Sequence, residues 1–347
     1  MQTTLSKYRR RRRSLQAVTL SLIFATAGVS AQDPQYSQYY ASPLLIAPSF
    51  AGNSLGTRAF INFRDQWAKL PGSFVTYSVA LDNNFYALNS GFGLLAVRDV
   101  AGSAGMGTST VKGLYSYRFN VTDEWRIRPG IGFSFNQRSM NSKKAVYGDQ
   151  ISTTGIDDIT LEPPIPPYNY IDAVASIVVY DRVMWFGLSV DHLLRPNMSF
   201  NRLSSRAPMT FLQFGGVNIP RLNRVGKPSE IITLNYLIKA SQVYRQFDIG
   251  VNWYHAPMLM GFGWRGFLTD VNSFDALIFT VGIAFNSLSV NYSYDFTINK
   301  LGPATGGSHE ITLSIGFNEG NKTLRRGAIP CPDVVKFKMF GDKESFR

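Results

Sequence analysis

Cysteine is almost missing from this chain. The 347 residues hold one, Cys331, which excludes an internal disulfide framework and any multi-cysteine zinc or iron–sulfur site. Histidine is nearly as scarce, with only His192, His255 and His309. HExxH, GxSxG, Walker A and CxxC patterns are all lacking, so no local motif carries hydrolytic, phosphate-cradling or dithiol chemistry. The glycine runs at residues 91–93 and 102–107 lack the strand–helix context of a phosphate loop and read as strand and tight-turn glycines. A hydrolase would need Ser or Asp partners beside the pair Asp191–His192, and such local pairs arise by chance. The chain reads as a non-enzyme without cofactor or metal. Charge is sparse too, at 17%. Beyond residue 31 no run of 18 apolar residues occurs, so no transmembrane helix is expected.

What the chain does hold is aromatic and glycine residues: 25 Phe, 17 Tyr, 5 Trp and 30 Gly, with 45% apolar residues and a mean hydropathy of -0.06. A disordered chain is poorer in hydrophobes and a helical membrane bundle far richer. This balance favours β-structure.

Residues 1–31 read as an export signal. Lys7 and Arg9, Arg10, Arg11, Arg12 and Arg13 form a basic start, residues 15–28 an apolar stretch, and Val29-Ser30-Ala31 a small-residue cleavage pattern. The net charge is 35 minus 23, or +12; without those basic residues, six in number and unopposed by any acid, it falls to +6. The basic balance therefore mostly reports export, and no nucleic-acid partner is expected.

The remainder alternates with period two. In residues 125–138, Trp125, Ile127, Ile131, Phe133 and Phe135 oppose Arg126, Arg128, Ser134, Asn136 and Arg138. In residues 288–298, Leu288, Val290, Tyr292, Tyr294, Phe296 and Ile298 oppose Ser289, Asn291, Ser293, Asp295 and Thr297. Ile311, Leu313, Ile315 and Phe317 oppose Glu310, Thr312 and Ser314; Phe247, Ile249, Val251 and Trp253 alternate with Asp248 and Asn252. A secreted sandwich or propeller also alternates. Small polar and charged residues on one face, with aromatics near strand ends on the other, favour a membrane barrel with a wet interior. Strands centre near Ile61, Val79, Leu95, Tyr115, Ile131, Ser176, Leu188, Phe214, Leu234, Val251, Phe262, Thr280, Tyr292 and Leu313. The expected fold is thus all-β, a transmembrane antiparallel barrel of about 14 strands over residues 57–318. It is preceded by an N-terminal periplasmic segment or plug at 32–56 and followed by a periplasmic tail at 319–347.

With the first strand starting in the periplasm, the long connections 139–169, 195–208 and 300–307 face outward, and tight turns fall at 120–123, 181–182 and 286–287. One longer basic connection, 220–230, is placed in the periplasm, and both termini with it. Residues 147–170, acidic and then proline-rich, read as an extended outer loop, either a plain connector or a partner surface.

Particular segments resemble a known family. Asp33-Pro34-Gln35-Tyr36-Ser37-Gln38-Tyr39 leads to Pro43-Leu44-Leu45-Ile46-Ala47-Pro48-Ser49-Phe50-Ala51-Gly52; Arg64-Asp65-Gln66-Trp67 precedes Leu70-Pro71-Gly72; Tyr292-Ser293-Tyr294-Asp295 and Gly307-Ser308-His309-Glu310-Ile311 stand near the end. This order resembles the PorP/SprF family of Bacteroidetes outer-membrane proteins, departing at Ala47, where the family more often has Asn. The resemblance implies a component of the type IX secretion system, a barrel associated with periplasmic ring and motor proteins. It further implies a hand in secreting or anchoring cargo, including adhesins with a type B C-terminal domain and, in some species, gliding.

Among candidate contact residues, Tyr36 and Tyr39 belong to an aromatic–aliphatic stretch that folds against the periplasmic mouth, enters the barrel as a plug, or packs without a gating role. Arg64, Asp65 and Trp67 stand where the first strand ends, read as a strand-end salt bridge and an interfacial anchor, with cargo contact as the other reading. Asp295 and Glu310 face the lumen, with Arg126, Arg128 and Lys112 as lumenal cations bracing or filling it. Phe337 and Phe340 lie in a polar tail that either docks to a periplasmic partner or stays disordered. A general porin or small-solute transporter is the alternative function.

Overall fold

The computed structural model describes residues 33–54, 56–102, 105–141, 165–199, 205–222, 228–242, 244–267, 274–285, 287–299 and 302–317. The expected export signal, residues 142–164 of the outer loop, and the tail with Cys331, Phe337 and Phe340 lie outside the described residues. The chain divides into two units, Met1–Pro34 and Gln35–Arg347. In the first, Asp33 and Pro34 have no regular secondary structure. All the strands belong to the second.

Fourteen strands form the wall. They are β1 Thr57–Gln66, β2 Phe74–Phe85, β3 Ser90–Ala101, β4 Met106–Tyr117, β5 Arg126–Ser139, β6 Tyr168–Tyr180 and β7 Met184–Asp191. There follow β8 Thr210–Leu222, β9 Pro228–Ala240, β10 Arg245–His255, β11 Met258–Phe267, β12 Phe274–Phe285, β13 Leu288–Thr297 and β14 Ser308–Phe317. A short piece, Phe119–Asn120, continues the line of β4 and pairs with the start of β5. Every strand pairs antiparallel with its sequence neighbours, and β1 pairs with β14, Ile61 opposite Leu313. The sheet is a closed 14-stranded antiparallel barrel with no free edge, which is what lets a β-structure satisfy its backbone in lipid. Each expected strand centre falls inside one of these strands.

The two faces separate as the alternation demands. Outward, Val79, Leu94, Phe133, Ile249, Phe262, Val281 and Ile311 are exposed; inward, Ser78, Asn62, Asn136, Asp248, Thr280, Asn291 and Thr312 are buried. This is inside-out relative to a water-soluble sandwich, where the apolar face would be the buried one.

The connections sort by end. On one side lie the turns at 86–89, 181–183 and 256–257 and the 118–125 connection, with the β8–β9 and β12–β13 junctions at the same end. Asp181 holds the 181–183 turn by accepting the Val183 and Met184 N–H groups at 2.7 and 2.6 Å. The other side carries the connections 140–167, 192–209 and 298–307. We call these the short-turn and long-loop ends. One expectation is corrected: the basic stretch 220–230 is not a long loop, because β8 and β9 pair as far as Leu222 and Pro228, with a register shift near Pro228. Charge at Arg221 and Glu230 had masked strand residues at the rim.

Candidate functional site

The lumen is occupied by the chain's own residues 35–54. Prolines at the first positions set two 3-10 turns there, Pro43–Leu45 and Pro48–Phe50, since proline presets the helical φ and has no N–H to satisfy. The turns bring Leu44, Ile46 and Phe50 of the segment against wall residues of the lumen.

Near the long-loop end the contact is ionic. Arg64 on β1 reaches Asp295 of β13 at 2.8 Å and Glu310 of β14 at 3.0 Å. Arg265 on β11 reaches the same Asp295 at 2.9 Å and Asp248 of β10 at 2.8 Å. All five side chains are 3% exposed or less. Two cations thus face three carboxylates, and neutral donors solvate the excess negative charge. The Ser37 and Gln38 N–H groups donate to Glu310 at 2.7 and 3.2 Å. The Ser37 hydroxyl donates to Asp295, Asn62 to Glu310 at 2.9 Å, and Gln246 to Asp248 at 2.7 Å. Burying carboxylates is costly unless donors reach them, and the segment supplies three of those donors, the Ser37 and Gln38 N–H groups and the Ser37 hydroxyl, so the segment and the cluster depend on each other.

The middle is apolar. Tyr39, Leu44, Ile46 and Phe50 of the segment join Leu95, Leu114, Val174, Val178, Trp185, Phe214 and Leu237 of the wall in one buried cluster. Each such side chain contributes roughly 1.5–3 kcal/mol when withdrawn from water. The Phe50 and Phe214 ring centroids are 5.2 Å apart. The Tyr39 hydroxyl, which a dry cluster cannot leave unpaired, donates to Asn235 of β9 at 2.6 Å.

At the short-turn end the backbone of the segment lies directly on the wall. The Ala51 carbonyl accepts from Ser116 at 2.7 Å and Arg128 at 3.3 Å. Gly52 N–H donates to Asp82 at 3.0 Å, itself paired to Arg58 at 3.3 Å. The approach requires glycine: a Cβ at Gly91 would collide with the Ala51 carbonyl, and one at Gly130 with the Ser49 backbone.

The candidate residues fall as follows. Tyr36 offers its carbonyl to Arg265 at 3.3 Å; Tyr39, Arg64, Asp295 and Glu310 meet in the lumen as above. The Arg64–Asp65 salt bridge expected from sequence is corrected: neighbours on a strand point to opposite faces, so Arg64 turns inward to Asp295 and Glu310 while Asp65 lies on the outer face opposite His309. Trp67, at φ 60°, packs edge-on against Phe74 with centroids 5.3 Å apart. Arg126 caps the 118–125 turn through the Thr122 and Asp123 carbonyls, and Lys112 pairs with Asp191 at 3.0 Å. His192 bonds Asp172 of β6, tying the start of the 192–209 loop to the wall. Sequence reasoning passed over Arg265, Arg58, Asp82 and the glycine seats. The signal for the charged ones was present, since each stands at the inward phase of its strand.

A closed barrel with an apolar outer band and a lumen filled by its own N-terminal segment defines a protein of the outer-membrane β-barrel class. The model of the type IX secretion system membrane protein PorP/SprF matches residues 28–315, and the chain belongs to that family. No curated protein matches it. Among solved structures it is similar to Omp33 of Acinetobacter baumannii (8% identity, 76% of this chain and 100% of that one, TM-score 0.41). It is also similar to the KdgM porin (9%, 75% and 99%, TM-score 0.33). Against the ferric enterobactin receptor PfeA of Pseudomonas aeruginosa the identity is 12% and the TM-score 0.32, with 69% of this chain aligned and only 44% of the receptor's length spanned. At such TM-scores these likenesses decide nothing about what this chain does.

Proposed function

We propose that this protein is a non-conducting outer-membrane scaffold of the type IX secretion system. It is exported by its N-terminal signal and inserted with the short turns in the periplasm. There it holds ring and motor proteins and helps secrete or anchor cargo such as surface adhesins. The observation that carries this reading beyond the family is the occupied lumen. A general porin needs a water-filled path, whereas here an ion cluster, an apolar layer and glycine-seated backbone follow one another along the axis. One cavity among the described residues, beside Tyr39, Tyr40, Phe50 and Phe214, has about 30 Å³, room for roughly one or two waters. The tail with Phe337 and Phe340 supplies further periplasmic contact in this reading, alongside the turns.

Two measurements test it. In planar bilayers the purified protein is expected to show no steady conductance. Deleting its gene is expected to abolish cargo secretion or surface adhesin display with small-solute uptake unchanged. A steady channel, or normal secretion with altered uptake, would establish the porin instead.

A further inference from the structure

The direction in which residues 35–54 run has a consequence for topology. Ser54 accepts from Asn84 and Tyr86 at the short-turn end, where β1 also begins. Going back along the chain, Gly52 meets Asp82, Ser49 meets Ser176, and Tyr39 meets Asn235. Ser37 and Gln38 then meet Asp295 and Glu310 near the long-loop ends of β13 and β14. Gln35 bonds Gln246, beside the first residue of β10 at that same end. The segment therefore runs the length of the lumen, and its first residue stands at the mouth opposite to the start of β1.

We propose that the chain enters its own barrel through the long-loop mouth, so that Gln35 and the end of β14 at Phe317 lie on opposite sides of the membrane. An even-stranded barrel alone would put both ends on one side; the returning segment reverses that for the N-terminus. With the orientation proposed above, on which the cellular side rests, the chain at Gln35 faces outside the cell. It is then a surface for extracellular partners and is closed to the periplasmic ring.

Single-cysteine variants in a Cys331→Ser background test this with a membrane-impermeant maleimide on intact and permeabilised cells. Lys69→Cys marks the long-loop end and Asp123→Cys the short-turn end. Gln35→Cys is expected to label together with Lys69→Cys, and the pair Gln35→Cys/Gln246→Cys to cross-link on mild oxidation. Gln35→Cys labelling only when Asp123→Cys does, or failing both to label and to cross-link in a protein that still shifts on heating in a detergent gel, overturns the proposal. Reversal of the two marker positions, with Gln35→Cys still following Lys69→Cys, would leave the threading intact and sink the cellular orientation.

Discussion

Arg64 concentrates what a single residue decides in this barrel. Its guanidinium joins β13, β14 and the Ser37 hydroxyl, at 2.8–3.0 Å throughout. Removing one member of a buried ion cluster leaves unpaired charge and costs about 3–5 kcal/mol. Arg64→Met is therefore expected to lower the temperature at which the folded band is lost on a detergent gel. Arg64→Lys is expected to recover little of it, since a single ammonium nitrogen lacks the planar fork whose two separate nitrogens reach Glu310 with Ser37 and Asp295. Asp65 makes the contrast. No cation among the described residues pairs with it on the outer face, so Asp65→Asn should be tolerated within about 0.5 kcal/mol by the same gel measurement. A large loss there would restore the Arg64–Asp65 pairing rejected above. Gly130→Val carries a different expectation: the new side chain would strike Ser49, unseating the segment while leaving the wall paired. Proteolysis of residues 35–54 in a barrel that remains heat-modifiable is the readout.

At the scale of elements, the lumenal segment and the strands divide the work. The strands supply the container and the segment supplies part of its filling. Deleting residues 35–49 is expected to turn a silent protein into a conducting one in planar bilayers, because the same stroke removes the apolar layer and the donors to Glu310 and Asp295. Unchanged silence would mean that wall side chains alone close the lumen. The strand positions and the facing of their residues are legible in the two-residue alternation by itself. The inward set in β13, Ser289, Asn291, Ser293, Asp295 and Thr297, is buried as a block. The stretch 220–230 was not readable as strand, because rim residues of a barrel are polar on the outward face and so imitate a loop.

For the molecule as a whole, the closed wall is the property on which secretion-system membership and membrane residence both depend. The intact protein is expected in washed outer envelopes and to migrate faster unheated than heated, as closed barrels resist dodecyl sulfate until boiled. Pairing β1 with β14 is what removes the last edge of the fourteen-stranded wall. That closure leaves an interior wide enough to need filling. The returning N-terminal segment is this chain's solution.

Local pattern determined the strands, their number, and which side of each faces lipid, because a two-residue period is a property of neighbouring residues and survives without a partner. It also determined the family, through short runs such as Arg64-Asp65-Gln66-Trp67. Only the tertiary structure decided which charges meet. Arg265 is 30 positions from Asp295, and Arg64 is 246 from Glu310. Closure of the ring and the path of residues 35–54 through it bring them together. Pairing across a lumen depends on the register and curvature of the whole wall, and no stretch of neighbouring residues encodes that.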